Sequence, residues 1–221
     1  MLAEISLGMR SLLFPSPCAG CGEGALEEPD HRPLCADCWG RLPWAGPARL
    51  PPSSPLDGAV SVWRYEGPAR ELIQALKHRG ALRLAPFLGR ELARAARRHL
   101  GEAPADAVTA VPLHPTRLRE RSFNQAEVLA RRLAVELDLP YRHGLLRRRL
   151  PTRAQPGLSR KERFSNVEEA FQAAADAPGG VPARILLVDD VLTTGATAGA
   201  CALALKAAGA ARVTALTLAR D

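Results

Sequence analysis

The stretch Ile185-Leu186-Leu187-Val188-Asp189-Asp190-Val191-Leu192-Thr193-Thr194-Gly195-Ala196-Thr197 decides how the rest of the chain is read. Four consecutive aliphatic residues predict a buried strand over 185–188, with two carboxylates at its tip. A small, hydroxyl-rich loop follows and leads into a helix expected over residues 197–208, stopped by Gly209. Backbone N–H groups and threonine hydroxyls at a helix N-terminus attract anions. Gly195 lets the backbone close around a phosphate. Adjacent carboxylates accept hydrogen bonds from sugar hydroxyls or hold Mg2+. The pattern fits a sugar phosphate, with Thr193, Thr194, Gly195, Ala196 and Thr197 on the phosphate and Asp189 and Asp190 on the ribose or the metal. A plain capped helix explains one threonine, but not three of them together with an acid pair. No G-x-x-x-x-G-K-[ST] run occurs, so a P-loop ATPase is not supported.

Outward from this stretch, short apolar runs alternate with helical patterns. Strands are expected at residues 59–65, 107–111 and 213–218, and helices at 69–77, 82–98 and 123–137. That alternation predicts an α/β fold with a parallel sheet covered on both faces. Ligands of such sheets bind at the carboxyl edge of the strands. At the start of the helix expected from residue 123, Arg119, Arg121, Asn124 and Gln125 are site candidates. Cations there oppose the helix dipole, a small local cost that hints at use.

The N-terminal part differs in kind. Residues 2–13 read as a short amphipathic helix. Cys18-x-x-Cys21 and Cys35-x-x-Cys38 then stand thirteen residues apart. A two-residue gap lets both thiolates of a pair face one tetrahedral ion, so the four predict a structural zinc. Disulfides are the alternative, disfavoured in a cytosolic chain. Cys201 reads as a core residue. Residues 41–56 hold five prolines, a semi-rigid linker composition. The expected organisation is a helix and four-cysteine zinc finger over residues 1–42, a linker over 43–56, and the α/β domain over 57–221.

With 47% hydrophobic and 24% charged residues, the chain has the composition of a soluble globular protein. It has no apolar run long enough to span a bilayer and no signal core in its first ten residues, so a cytoplasmic location is expected. The net charge of +7 is concentrated: residues 141–163 contain eight basic residues against one acid. Pro151, Pro156 and Gly157 make the stretch from Arg147 a loop. Arg147, Arg148, Arg149, Arg153, Lys161 and Arg163 are candidate contacts to a phosphate-bearing partner. The alternative is an arginine-rich composition without a partner. Aromatic residues are scarce in this run, which favours phosphate contact without sequence preference over base stacking.

The strand–acid–threonine segment resembles the phosphoribosyl-pyrophosphate motif of type I phosphoribosyltransferases. The likeness extends along the chain. Tyr65-Glu66-Gly67, the Lys77 region, Val111-Pro112-Leu113-His114-Pro115, Arg121-Ser122-Phe123-Asn124-Gln125-Ala126, Thr152-x-x-Gln155, Asn166-Val167 and Leu218-Ala219-Arg220 resemble the ComF family. So do the cysteine pairs. The resemblance implies a type I phosphoribosyltransferase-like parallel sheet flanked by helices, with a small N-terminal four-cysteine zinc finger. It implies binding of phosphoribosyl pyrophosphate with Mg2+, and a role in natural transformation, with single-stranded DNA and other DNA-uptake proteins as partners. Leu113, His114 and Arg117 should hold the pyrophosphate, in a loop that often carries a strained cis peptide in the wider fold. The loop from Arg147 should close over the reacting centre or, as the alternative, contact single-stranded DNA through Arg147, Arg148, Arg149, Arg153, Lys161 and Arg163. No residue is read as catalytic. An active phosphoribosyltransferase that releases pyrophosphate to an unidentified acceptor is the alternative function.

Overall fold

The computed structural model describes residues 17–23, 32–77, 82–148, 170–174 and 179–221. The helix expected at 2–13, the Thr152-x-x-Gln155 and Asn166-Val167 matches, and Arg149, Arg153, Lys161 and Arg163 lie outside them.

Five strands form the central sheet: β1 (Trp44–Pro47), β2 (Gly58–Arg64), β3 (Ala107–Ala110), β6 (Arg184–Leu192) and β7 (Arg212–Arg220). Their order is β1-β2-β7-β6-β3. Every pairing is parallel except that of the edge strand β1 with β2. Along β6 and β7 the pleat sends Leu186, Val188, Leu216 and Leu218 to one core, and Ile185, Leu187, Val213 and Ala215 to the other. This two-sided burial explains why the strands read as continuous apolar runs. Each fully buried aliphatic side chain contributes about 1.5–3 kcal/mol.

Among the described helices, α2 (Gly67–Lys77), α3 (Ala85–Leu100) and α5 (Gln125–Leu137) supply the first core. Gly89 brings α3 and α5 into close contact: a Cβ there would lie 2.6 Å from the Cβ of Arg132. The second core lies under α6 (Ala196–Ala207) and a small antiparallel pair, β4 (Leu146–Arg148) and β5 (Phe171–Ala173).

Three expectations need correction. The proline-rich segment 43–56 is not wholly a linker, because Trp44, Gly46 and Pro47 pair with Trp63, Ser61 and Val60. An edge strand needs ladder bonds on one side only, so proline is tolerated there. The basic stretch from Arg147 is not wholly a loop, because Arg147 and Arg148 belong to β4. The strand expected at 185–188 runs on to Leu192, because β7 continues beside it and pairs Asp189 with Thr217 and Val191 with Ala219.

The cysteine segment, which ends in the short helix α1 (Ala36–Gly40), packs onto the α/β body. Cys18, Leu34, Cys38 and Leu42 are buried in the first core. A Cβ on Gly20 would meet the Cys38 Sγ and a Leu34 methyl, each at 2.9 Å. Gly20 is therefore required for space, whereas Gly22 supplies a left-handed turn with φ +76°.

Candidate functional sites at the strand tips and the cysteine cluster

Two strands set the geometry of the main site. β3 pairs with β6 only as far as Val188, while β6 continues. Asp189 and Asp190 therefore emerge beside an opening beyond the end of β3. Both are half-buried. The Asp190 N–H donates to Asp189 Oδ1 at 2.8 Å. Lys77 Nζ, from the end of α2, lies 3.0 Å from Asp190 Oδ2 and 5.7 Å from the centre of the Tyr65 ring. Burial and the neighbouring Asp190 charge push the Asp189 carboxyl up to about 7. Lys77 opposes that shift only partly.

Facing the acids is a cavity of about 210 Å3, whose lining includes Leu113, Arg117, Arg121, Gln125, Arg148 and Thr197 as well as Lys77 and both acids. The short helix α4 (Pro115–Arg121) places Arg117. Asn124 locks the start of α5: its Nδ2 donates to the Val111 carbonyl at 2.9 Å and its Oδ1 caps the Ala126 N–H. Arg121 donates to Gln125 Oε1 at 3.2 Å, which fixes the orientation of that amide. Gln125 is 2% exposed, and its Nε2 has no hydrogen-bond partner. A buried donor without an acceptor is costly in a folded protein unless a ligand supplies one. Arg148 sits with its guanidinium 5.2 Å from the Phe171 ring centre. Burial shifts its pKa down, and the like charge of Arg117 adds to this.

The expected site residues divide. Leu113, Arg117, Asp189, Asp190 and Thr197 line this cavity. Thr194, Gly195 and Ala196 line a neighbouring one of about 260 Å3, closed by residues 50–56. Thr193 is exposed. Gly195 is the N-cap of α6 and has no side chain to cap it; Thr194 Oγ1 accepts from the Ala196 N–H at 3.4 Å, and the helix start is the kind of terminus that attracts an anion. His114 Nδ1 accepts from the Thr116 N–H at 3.2 Å and starts α4, which leaves Nε2 as the donor of the ring. All described peptides are trans. Arg148, expected on a nucleic-acid surface, lines the acid-bearing cavity. Lys77 had no local signal for this place, because only the topology brings it to Asp190.

The second site is the cysteine cluster. The four sulfurs of Cys18, Cys21, Cys35 and Cys38 lie within 4.8 Å of one another. Four sulfurs about 2.3 Å from a tetrahedral ion would be about 3.8 Å apart. Cys21 and Cys35 are 4.0 Å apart, too far for a disulfide. N–H groups of Gly20 and Cys35 donate to Cys18 Sγ at 3.4 and 3.2 Å, and the Cys38 N–H donates to Cys35 Sγ at 3.4 Å. Burial alone would push the Cys18 thiol up, but the backbone N–H groups of Cys21, Cys35 and Gly20 bring it down to about 6. Burial and the neighbouring sulfurs push Cys38 up to about 12. A cluster of sulfurs that raises one member while donors stabilise another fits a soft cation such as zinc.

Paired acids, three arginines and a lysine thus stand at the carboxyl edge of a mostly parallel α/β sheet, with a four-cysteine metal-type cluster attached. The chain belongs to the ComF family. It is 31% identical over 212 residues to competence protein F of Haemophilus influenzae, covering 92% of this chain and 84% of that one. It is 33% identical over 190 residues to the DNA utilization protein YhgH of Salmonella typhimurium, covering 81% of each. Competence protein ComFC of Streptococcus pneumoniae matches at 33% over 111 residues, half of this chain and 46% of that one. No protein-family model matches. Among solved structures, the allosteric regulatory enzyme of purine biosynthesis is similar with a TM-score of 0.42 and 25% identity, over 61% of this chain and 25% of that one. Glutamine phosphoribosylpyrophosphate amidotransferase from B. subtilis follows at 0.40 and 26%, over 59% and 25%.

Proposed function

We propose that the chain binds phosphoribosyl pyrophosphate with Mg2+ at the strand tips and serves DNA uptake and utilization inside the cell, with single-stranded DNA as its macromolecular partner. One observation carries the ligand assignment: Asp189 and Asp190 face Arg117, Arg148 and Lys77 across one cavity. Asp189 and Asp190 would hold the ribose hydroxyls and Mg2+, which neutralises phosphate charge when bound. Arg117 and Arg148 suit the pyrophosphate as planar donors. Thr193, Thr194 and Thr197, with the backbone of Gly195 and Ala196, suit the 5-phosphate at the helix N-terminus. Gln125 Nε2 is poised to donate to a ligand oxygen. The four cysteines would hold one structural zinc, and residues 1–42 would form its finger unit. The names of the relatives support the DNA role.

Calorimetry with phosphoribosyl pyrophosphate, with and without Mg2+, tests the ligand. One Mg2+-dependent site is expected, and no heat in either condition would overturn it. Arg117 and Arg148 facing the acids also suit turnover. Pyrophosphate release with nucleobases or DNA added would favour the enzyme reading; binding without release favours a ligand-controlled factor. Metal analysis is expected to find about one zinc per chain.

A further inference from the structure

On the side of the molecule next to the cysteine cluster, one face of α3 carries Phe87, Arg90, Glu91, Arg94, Arg98 and His99. Two cavities open along it and share Glu91 and Arg94. One, of about 210 Å3, runs toward Arg32 and Phe87. The other, of about 310 Å3, runs between α3 and the edge strand β1, past Trp44 and Ser61 to Arg98 and His99. Together they form a groove unrelated to the acid-bearing cavity at the strand tips.

Its walls combine three kinds of group. Cations come first: Arg32, Arg90, Arg94 and Arg98, with Arg94 and Arg98 exposed. Aromatic rings come second. Trp44 is 57% exposed, yet it is held in place by Trp39 and Trp63, with ring centres 5.9 and 6.0 Å away. Trp39 in turn packs on Phe87 and carries the Arg32 guanidinium 4.7 Å from its centre. A large aromatic face left in water but braced from behind is a stacking platform. The third group is Glu91, 2% exposed. Its Oε1 takes Arg94 at 2.6 Å, while its Oε2 is buried with no hydrogen-bond partner. An unpaired acceptor at the junction of both cavities calls for a donor from outside.

We propose that this groove is the track for single-stranded DNA, with a base stacked on Trp44, phosphates on Arg90, Arg94 and Arg98, and an exocyclic amine donating to Glu91 Oε2. The proposal rests on the DNA part of the proposed function and places that contact on α3 and the tryptophans rather than on the basic stretch after Arg147. An acidic peptide would meet the cations but has no use for the stacking face or the spare acceptor. The cations extend over both cavities, which matches several phosphates rather than one nucleotide. Glu91 also gives the track a preference. Cytosine and adenine present amines. Thymine offers only an N3–H between two carbonyl oxygens, which a carboxylate repels.

The test is anisotropy titration of the full zinc-loaded chain with oligonucleotides of about 15 nucleotides. The parent should bind oligo-dC about fivefold or more tighter than oligo-dT. In Glu91→Gln, Arg94 keeps the amide oxygen, so Nε2 stands where Oε2 stood. A donor then faces the base, and the dC preference should vanish or reverse. Trp44→Ala should weaken both oligonucleotides about tenfold. Arg90→Ala with Arg98→Ala should flatten the salt dependence by about 1.4 units. Trp44, Arg94 and Arg98 are exposed, so Trp44→Ala and Arg98→Ala decide the matter if Glu91→Gln does not fold. DNA bound by the parent and equally by these variants overturns the groove alone, as does loss of binding only when Arg149, Arg153, Lys161 and Arg163 become alanine. Displacement of the strand by an equal nucleotide concentration of free cytidine monophosphate overturns the extended track. No binding of any strand by the parent overturns the DNA part of the proposed function as well.

Discussion

At the amino ends of the parallel strands, each acid is matched to its surroundings. Asp57 Oδ2 accepts the Val213 N–H at 2.7 Å, and its carboxylate lies 2.9 Å from Lys206 Nζ. Asp106 accepts the Arg184 N–H at 2.9 Å and its guanidinium at 2.6 Å. For Asp57, burial works upward, but the Val213 N–H and Lys206 outweigh it and hold the carboxyl below its ordinary value. For Asp106, the Arg184 side chain and then its N–H do the same. At the carboxyl ends the arrangement is opposite. Asp189 and Asp190 stand together, Lys77 pairs with Asp190 alone, Asp189 is pushed up to about 7, and Gln125 keeps an unanswered donor. One end of the sheet is electrostatically satisfied by the protein itself; the other would be completed by the proposed ligand and its Mg2+. That asymmetry is what separates structural from functional acids here, not their residue type.

The sharpest way to break the comparison is to neutralise both ends. Asp189→Ala with Asp190→Ala should weaken Mg2+-dependent phosphoribosyl pyrophosphate binding by about 100-fold or more in calorimetry, at the scale of lost charge-assisted contacts. Unchanged affinity would place the ligand elsewhere. Asp57→Ala should leave that affinity alone and destabilise the fold by about 1–2 kcal/mol, read by denaturant unfolding. Its stabilising effect is present above the unfolded carboxyl pKa of about 3.9 and disappears as pH falls through the lower folded value.

Gln125→Leu sharpens the contrast from the ligand side. Removing the unpartnered buried donor should offset the loss of the Arg121 bond to Oε1, so the free protein changes little while ligand affinity falls about tenfold. Equal loss of stability and affinity would make Gln125 a packing residue. The smallest effect belongs to Asp189→Asn alone. A raised folded pKa means that the parent loses stability as pH climbs from about 4 to about 7 and is level above that. The variant avoids this loss, so its Tm at pH 8 should exceed the parent's. The difference should close near pH 4. A lower Tm at pH 8 would show Asp189 to be structural after all.

Much of this asymmetry was legible in the chain, because Ile185 to Val188, the acid pair and the threonine loop are consecutive and each follows local rules. The strand at residues 44–47 was hidden by its prolines: its pairing depends on Ser61 and Trp63, not on its own alternation. The extension of β6 past the acids was hidden too, since apolar patterning stops at Val188 while the ladder with Thr217 and Ala219 does not. Arg148 was read by its neighbours' charge, whereas its place is set by β4 pairing with Phe171 of β5. Residues Arg90, Arg94 and Arg98 carried no signal, being an ordinary solvated face until β1 and the tryptophans meet them.

The close approach at Gly89 has a thermodynamic consequence. α5 carries Gln125 at the strand-tip cavity and α3 carries Glu91 in the groove, and where they meet the Arg132 Cβ rests against Gly89, which has no side chain of its own to yield. A displacement of either helix would therefore be felt by the other at this contact, with no rotamer at position 89 to absorb it. Should the small anion raise the protein's affinity for a strand by some factor, the strand must raise its affinity for the anion by the same factor, and a Cβ at position 89 is the smallest change that would alter that number.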